Sequence, residues 1–375
     1  MDDTTRNRGQ FRYVTPVPPD AATGRVADVY RQLADDFGMA RMAVFLTLSP
    51  APEVLAATWA LLRETLLAGD VPRTGKEVVA LGVSLANRCP FCVAAHTTLL
   101  HATGDHRLAE TVAAGGVPDD PGHARLLTWA KDRGPAPFPA EHAPEYVGTA
   151  LTFHFVNRIA SALLTENLLP GNLQRARLVR SVGGRAMSRT VRRRLTGGAA
   201  LPLIADLGGR PEPGWARHTP AGVAYAALRT VAGDGGDLLS VEARDAVAGA
   251  VAAWDGEHPL MGGARLDGLL AGLPPADRTA ARLALLTALA PYRVTDADVA
   301  AWRGSGSGGD AALVRIIAYG AILATEWAES VITAGLPPTG YAGLPPAGYA
   351  GGGRRSERGQ TYSRSSGSSS PNFGR

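Results

Sequence analysis

The chain has 375 residues, of which 45% are hydrophobic and 19% charged, with a formal net charge of +4. A mean hydropathy of −0.01 and the lack of any run of roughly eighteen uncharged apolar residues argue against membrane spans. The charge is uneven: residues 171–204 hold eight arginines and no acid, residues 351–375 hold five arginines and one glutamate, and the remainder carries −8. The pI of about 9.3 therefore belongs to two basic segments and not to a basic folded body.

Apolar periodicity predicts helices at 22–37, 52–68, 75–85, 90–103, 105–114, 122–131 and 149–163, and then at 221–231, 241–254, 276–289 and 311–332. Ala311–Trp327, the most apolar stretch, carries Arg315 and Glu326 and reads as a buried helix. No sustained alternation bounded by hairpin turns occurs, so the expected fold class is all-α, a helical bundle with short connections. Seams at Pro170-Gly171 and near Pro211 divide the chain into a first helical block (22–170), an arginine-rich linker (171–212) and a second helical block without cysteine (213–335). Residues 336–375 contain most of a tandem octapeptide that begins at Gly335, then Gly, Ser and Arg, and are expected to form a disordered low-complexity tail. The first twenty residues are polar and lack the apolar core of a secretory signal, so the expected location is cytoplasmic.

Both cysteines lie in one segment, Cys89-Pro-Phe-Cys92, followed by His96 and preceded by Glu77. Cys89-Pro90 has the form of an N-cap followed by proline at the first helical position, which puts Cys92 in the first turn of a new helix. There the free backbone N–H groups and the positive end of the helix dipole favour a thiolate. His96 is four residues beyond Cys92 and shares its face. In a cytosolic chain such a pair is catalytic or metal-binding more often than a structural staple. Three plainer readings stand beside this one. Thr74 and Glu77 fit a capping box, which would make Glu77 a structural cap. His96 could be a core histidine. Cys89, Cys92 and His96 could bind zinc, although no fourth ligand follows at a useful spacing.

The combination of Glu77, Cys89, Cys92 and His96, with the Ala80–Ser84 run and Asn87 between, resembles the active-site motif of the alkylhydroperoxidase D-like group. That group belongs to the carboxymuconolactone decarboxylase superfamily, an all-α fold. The resemblance is best over 40–115 and extends loosely to about 170. It implies that Cys92 attacks a peroxide and becomes a sulfenic acid, and that Cys89 resolves it as a Cys89–Cys92 disulfide. Glu77 and His96 would form the proton relay. It further implies an organic hydroperoxide as substrate, no bound cofactor or metal, an external dithiol or reducing protein (a protein-bound lipoyl group in some relatives) as electron donor, and a homo-oligomer. Phe91 stands between the cysteines where some members carry a histidine, which weakens the expected relay. Members that decarboxylate lactones lack the cysteine pair.

Elsewhere the signals are weaker. Residues 277–296, with Pro291 near a turn, are similar in pattern to the helix–turn–helix around Cys89, so the second block is read as a degenerate copy or as an unrelated bundle. His154, Asn157 and Arg158 share one side of a predicted helix, and no catalytic role is assigned to them. The arginine segment, with Leu178, Val182, Met187, Val191 and Leu195 at near-helical spacing, reads as a connecting helix packed by its apolar edge. No nucleic-acid motif accompanies it, so nucleic-acid or membrane binding is not expected. The leading reading is a two-cysteine thiol peroxidase. The alternatives are a thiol–disulfide oxidoreductase or redox sensor, and a helical scaffold that recruits anionic partners through its basic segments.

Overall fold

The computed structural model describes residues 9–166, 177–258, 264–306 and 308–336. The tandem octapeptide beyond Leu336 and the expected tail lie outside these residues. Among the described residues the fold is all-α, with two isolated β-bridges, Phe11 with Leu164 and Ala68 with Leu195.

In chain order the helices are α1 (Gly24–Gln32), α2 (Ala43–Leu46), α3 (Pro52–Leu62), α4 (Arg73–Ala86), α5 (Pro90–Thr103), α6 (His106–Ala113), α7 (Pro121–Asp132) and α8 (Ala143–Leu163). They continue with α9 (Arg177–Val191), α10 (Pro220–Gly233), α11 (Val241–Ala252), α12 (Ala264–Leu269), α13 (Pro275–Leu289), α14 (Asp296–Gly304) and α15 (Asp310–Ile332). Helices α1 and α3 run on into single π-helical turns, Leu33–Phe37 and Arg63–Leu67. Every helix expected from periodicity is present. α8 begins six residues earlier than expected, because Pro144 is accommodated in its first turn, where the missing N–H costs no intrahelical bond. The short helices α2, α12 and α14 span too few turns to show a period in the sequence.

Helix α4 is the centre of the first block, packed against α5, α7 and α8. Val78, Val79, Leu81 and Val83 are fully buried along it, each contributing about 1.5–3 kcal/mol of transfer free energy. A side chain at Gly82 would meet the Cβ of Ala130 at 2.8 Å, so glycine permits the close approach of α4 to α7. Helix α9 lies along α5. At Gly184 an added Cβ would stand 2.6 Å from the His101 Cβ and 3.0 Å from the Ala102 nitrogen, so the two backbones nearly touch.

Helices on either side of the expected seam at 213 pack on one another, α3 along α10 and α8 along α15, within one hydrophobic core. By length and composition alone α15 could cross a membrane, yet most of it is buried against α8, α10 and α13. The arginine-rich helix α9 is held to the protein itself. Arg180 pairs with Glu110 at 2.5 Å, Arg192 Nε donates to the Ala102 carbonyl, and Arg193 pairs with Asp36 at 3.0 Å.

Candidate active site

The chain turns sharply between α4 and α5. Asn87 ends α4, and Arg88 takes the left-handed conformation (φ 53°). The Cys89 N–H then donates to the Ser84 carbonyl at 3.0 Å. Cys89 is the N-cap of α5 and Pro90 follows inside the first turn, as expected. The cap is made by sulfur: the Cys92 N–H donates to Cys89 Sγ at 3.4 Å. Both thiols are free and buried, with 1% and 3% of their surfaces exposed.

The capping box expected at Thr74–Glu77 does not form. α4 starts two residues earlier than expected, at Arg73, with Pro72 as its N-cap and no side-chain cap. Glu77 instead points inward and is wholly buried. Its Oε2 accepts from His96 Nδ1 at 2.7 Å, and its Oε1 accepts from Arg73 Nε at 2.7 Å. Burial alone would raise the Glu77 carboxyl. The Arg73 guanidinium and the His96 hydrogen bond more than offset it and hold the group below the ordinary carboxylate range. Glu77 is therefore an anion that accepts a hydrogen bond from His96 Nδ1, which leaves Nε2 as the ring nitrogen turned away from the carboxylate. The His96 ring also packs at a near-perpendicular angle on Phe153 of α8, with ring centroids 4.2 Å apart, which restricts how the imidazole can turn. No hydrogen bond joins His96 directly to Cys92, so a proton passing between them needs a bridging molecule or a small movement.

The two sulfurs do not titrate alike. Burial disfavours charge on Cys89, but the Cys92 thiol and N–H and the nearby Ser161 hydroxyl bring its thiol below the ordinary value. Burial, and then the hydrogen bond and charge of Cys89, push the Cys92 thiol well up. The pair thus holds one proton tightly, and the first negative charge rests on Cys89, at the N-cap.

Cys89 also lies between two clefts. One, of about 500 Å³, is bounded by α4, α5, α6 and α9 and includes Arg88, Val93, Glu110 and Arg180. The other, of about 300 Å³, is lined by Arg12, Phe91, Ser161, Glu166 and Tyr292. Cys92 lines neither cleft.

The comparisons with known proteins fall on this region. Residues 52–121, which span α3 to the start of α7 and contain Glu77, both cysteines and His96, match the model of the carboxymuconolactone decarboxylase family. The chain is also 40% identical over 322 residues to the alkyl hydroperoxide reductase Rv2159c of Mycobacterium tuberculosis (strain ATCC 25618 / H37Rv), covering 84% of this chain and 92% of that protein. The chain belongs to the carboxymuconolactone decarboxylase family. No solved structure matches it. The similarity to Rv2159c runs far past the 70 residues of the family match, so the second helical block is part of what the two proteins share.

Within this family member, the four residues singled out from the sequence lie on the two adjoining helices: Glu77 near the start of α4, Cys89 at the N-cap of α5, and Cys92 and His96 within α5. His154, Asn157 and Arg158 do not reach the thiols. His154 Nδ1 meets Asn87 Nδ2 at 3.4 Å, Asn157 Oδ1 accepts from Ser84 Oγ at 3.3 Å, and Arg158 Nε donates to the Ala288 carbonyl at 2.9 Å. His154 and Asn157 brace α4 from behind, and Arg158 ties α8 to α13. Among the described residues no group of three or more His, Cys, Asp or Glu side chains is placed to hold a metal. Sequence reasoning passed over Arg73, although its i, i+4 spacing from Glu77 is a legible ion-pair signal. It also passed over Ser161, Arg12 and Tyr292, which carry no local signal because they reach Cys89 only through tertiary packing.

Proposed function

We propose that this protein is a two-cysteine thiol peroxidase that reduces organic hydroperoxides and is re-reduced by an external dithiol in a cytosolic setting, where thiols are kept reduced. The observation that carries this reading is the fully buried Glu77 bound at 2.7 Å to His96, one helical turn beyond Cys92, with a reduced second thiol at the N-cap. A buried carboxylate that orients an imidazole beside a dithiol supplies what general-base activation of a sulfur needs. The similarity to a protein named an alkyl hydroperoxide reductase supports the same chemistry.

In the proposed cycle the proton shared by the two sulfurs moves from Cys92 to Cys89, or through His96. The Cys92 thiolate attacks the terminal oxygen of R–O–O–H, the O–O bond breaks, and R–O⁻ leaves and takes up a proton as R–OH. Cys92 is then a sulfenic acid, on the reversible rung of thiol oxidation. Cys89 attacks its sulfur, hydroxide leaves as water, and a Cys89–Cys92 disulfide forms. An external dithiol returns two electrons and two protons and is itself oxidised to a disulfide. A protein-bound lipoyl group is the proposed donor, and self-association is part of the proposal. In this division of labour 22–170 carries the chemistry and 213–335 acts as a fused partner that braces it.

A second reading exchanges the sulfurs. Cys89 lines both clefts and is the favoured thiolate, so it is the sulfur an incoming peroxide meets first. The deciding experiment is stopped-flow reaction of the reduced protein with cumene hydroperoxide, following peroxide and free thiols together, with Cys89→Ser and Cys92→Ser alongside. A sulfenate trapped in Cys89→Ser and no reaction in Cys92→Ser supports Cys92 as the attacking sulfur. The reverse pattern supports Cys89. A wild-type rate no greater than that of free cysteine removes the peroxidase and leaves disulfide exchange.

A further inference from the structure

The larger cleft over Cys89 has a wall chemistry that the redox pair does not need. Its floor and sides are mainly apolar, from Leu85, Pro90, Val93, Ala94, Ala113 and Ala114. Three charged side chains interrupt them, and two cancel. Glu110 accepts from Arg180 NH2 at 2.5 Å and Nε at 3.2 Å, and from His101 Nε2 at 2.7 Å, so its charge is already matched inside the protein. His101 is fixed in turn by His106, Nδ1 to Nδ1 at 2.8 Å. Arg88 is different. It is exposed, and its guanidinium makes no hydrogen bond or ion pair among the described residues. Its left-handed backbone, a conformation any residue with a Cβ holds at some cost, fixes the direction in which the side chain leaves the turn. The positive end of the fourteen-residue helix α5 opens beside it. The cleft therefore presents an apolar body, one unmatched positive charge on its rim and a thiol at its base. Arg88 precedes Cys89 directly in the chain, and both residues line this cleft.

We propose that this cleft binds an amphiphile with an alkyl body and a single carboxylate, and that Arg88 is the residue that holds the carboxylate. The inference rests on the redox reading only in that the ligand then brings a reactive group to Cys89. A planar guanidinium accepts a carboxylate through two parallel hydrogen bonds. The apolar wall takes the chain, and the ligand's charge completes the neutralisation that Glu110 and Arg180 complete for each other. The same chemistry can enter as a hydroperoxide of a fatty acid or as an acidic alkyl thiol acting as reductant, and the two are separable by experiment.

The test compares each acid with its uncharged counterpart on the full-length protein. A linoleic acid hydroperoxide is paired with its methyl ester, and a mercaptoalkanoic acid with its amide. Wild type, Arg88→Gln and Arg88→Lys are run at low and high salt. The expected result is an acid-over-neutral preference in KM of about tenfold in one of the two arms. That preference should collapse towards unity in Arg88→Gln, return in part in Arg88→Lys, and shrink with salt. The arm that shows it names the source of the carboxylate. Direct binding of the unreactive hydroxy acid, followed by calorimetry, keeps the inference separate from the peroxidase reading. If neither peroxide is consumed but the hydroxy acid binds and Arg88→Gln weakens it, the cleft stands and the peroxidase falls. Equal handling of acid and neutral ligand by wild type, or a preference that survives Arg88→Gln, overturns the inference.

Discussion

Two helix–turn–helix units in this molecule begin their second helix in different ways. In the second block, α13 leads through a 3-10 turn at Pro291–Arg293 into α14, whose N-terminus carries a full capping box: Asp298 N donates to Thr295 Oγ1 at 3.2 Å, and Thr295 N donates to Asp298 Oδ2 at 2.9 Å. In the first block, α4 leads through Asn87 and Arg88 into α5, and the cap is the sulfur of Cys89 at 3.4 Å. A hydroxyl is the better cap, and a capping box satisfies two backbone donors where Cys89 satisfies one. What the sulfur provides is chemistry. The same N–H that caps the helix favours the thiolate, and at the start of the preceding helix α4 Glu77 is turned inward on His96 instead of closing a box with Thr74. One junction is built for stability, and the other gives up part of that stability to hold a reactive dithiol. The second block then returns support: His258 Nε2 donates to the Ala86 carbonyl at 2.8 Å, at the last turn before the cysteines.

The sharpest way to break this comparison is to remove one carboxylate from each unit. Glu77→Gln keeps the volume but leaves Arg73 unpaired and no longer fixes the His96 tautomer. We expect the thiol reaction with peroxide to slow by about a hundredfold or more, the usual scale for general acid–base groups. Asp298→Asn at the other junction should lower stability by about 1 kcal/mol, as for a lost cap, with the peroxide reaction at the wild-type rate. Equal kinetic effects from both substitutions would show that helix stability, and not proton transfer, limits the reaction.

The same residue gives a pH signature of smaller size. The Glu77 carboxyl lies below its ordinary value of 4.5 in the folded protein. The unfolded state therefore binds its proton first as the pH falls. Its contribution is complete above about pH 4.5 and is lost on acidification through the lower folded value. Denaturant midpoints should show wild type more stable than Glu77→Gln at neutral pH, with the gap narrowing below that point. A gap that is constant from pH 7 to pH 3 would mean that Glu77 stabilises the fold by shape alone.

The sequence shows most of what lies along one helix and little of what packs onto it. Cys89, Cys92 and His96 are legible because all three lie at or just within the start of one helix at i, i+3 and i, i+4 spacing. The N-cap followed by Pro90 can be read in the same way, and the boundaries of α5 are those expected. Glu77 is harder. From local pattern alone, Thr74-x-x-Glu77 is a capping box, and only the packing of α4 on α5 turns the carboxylate to His96. The walls of the two clefts are not legible at all. Arg180, Arg12, Ser161 and Tyr292 come from α9, the N-terminal segment, α8 and the 3-10 turn after α13, and reach Cys89 only by long-range packing. The arginine segment reads as a connecting helix, but its position against α5 depends on the near-contact at Gly184, which has no periodic signature.

The smallest expected effect tests how finely the cap is tuned. Ser161 Oγ is buried without a hydrogen-bond partner of good geometry, in the smaller cleft beside Cys89, and close enough to that sulfur to favour its charged form. A buried hydroxyl left unpaired is costly, whereas one that donates to a thiolate is satisfied. Ser161 should therefore be partnered chiefly when Cys89 is ionised. Ser161→Ala removes that donor and leaves the backbone N–H of residue 92 in place. The Cys89 midpoint, read from the pH dependence of bimane labelling in a Cys92→Ser background, should move up, and Ser161→Thr should move it back. A midpoint indifferent to Ser161 would leave the backbone of α5 as the main source of the Cys89 thiolate in that background, and the helix N-terminus would then account for the contrast with the capping box at Thr295.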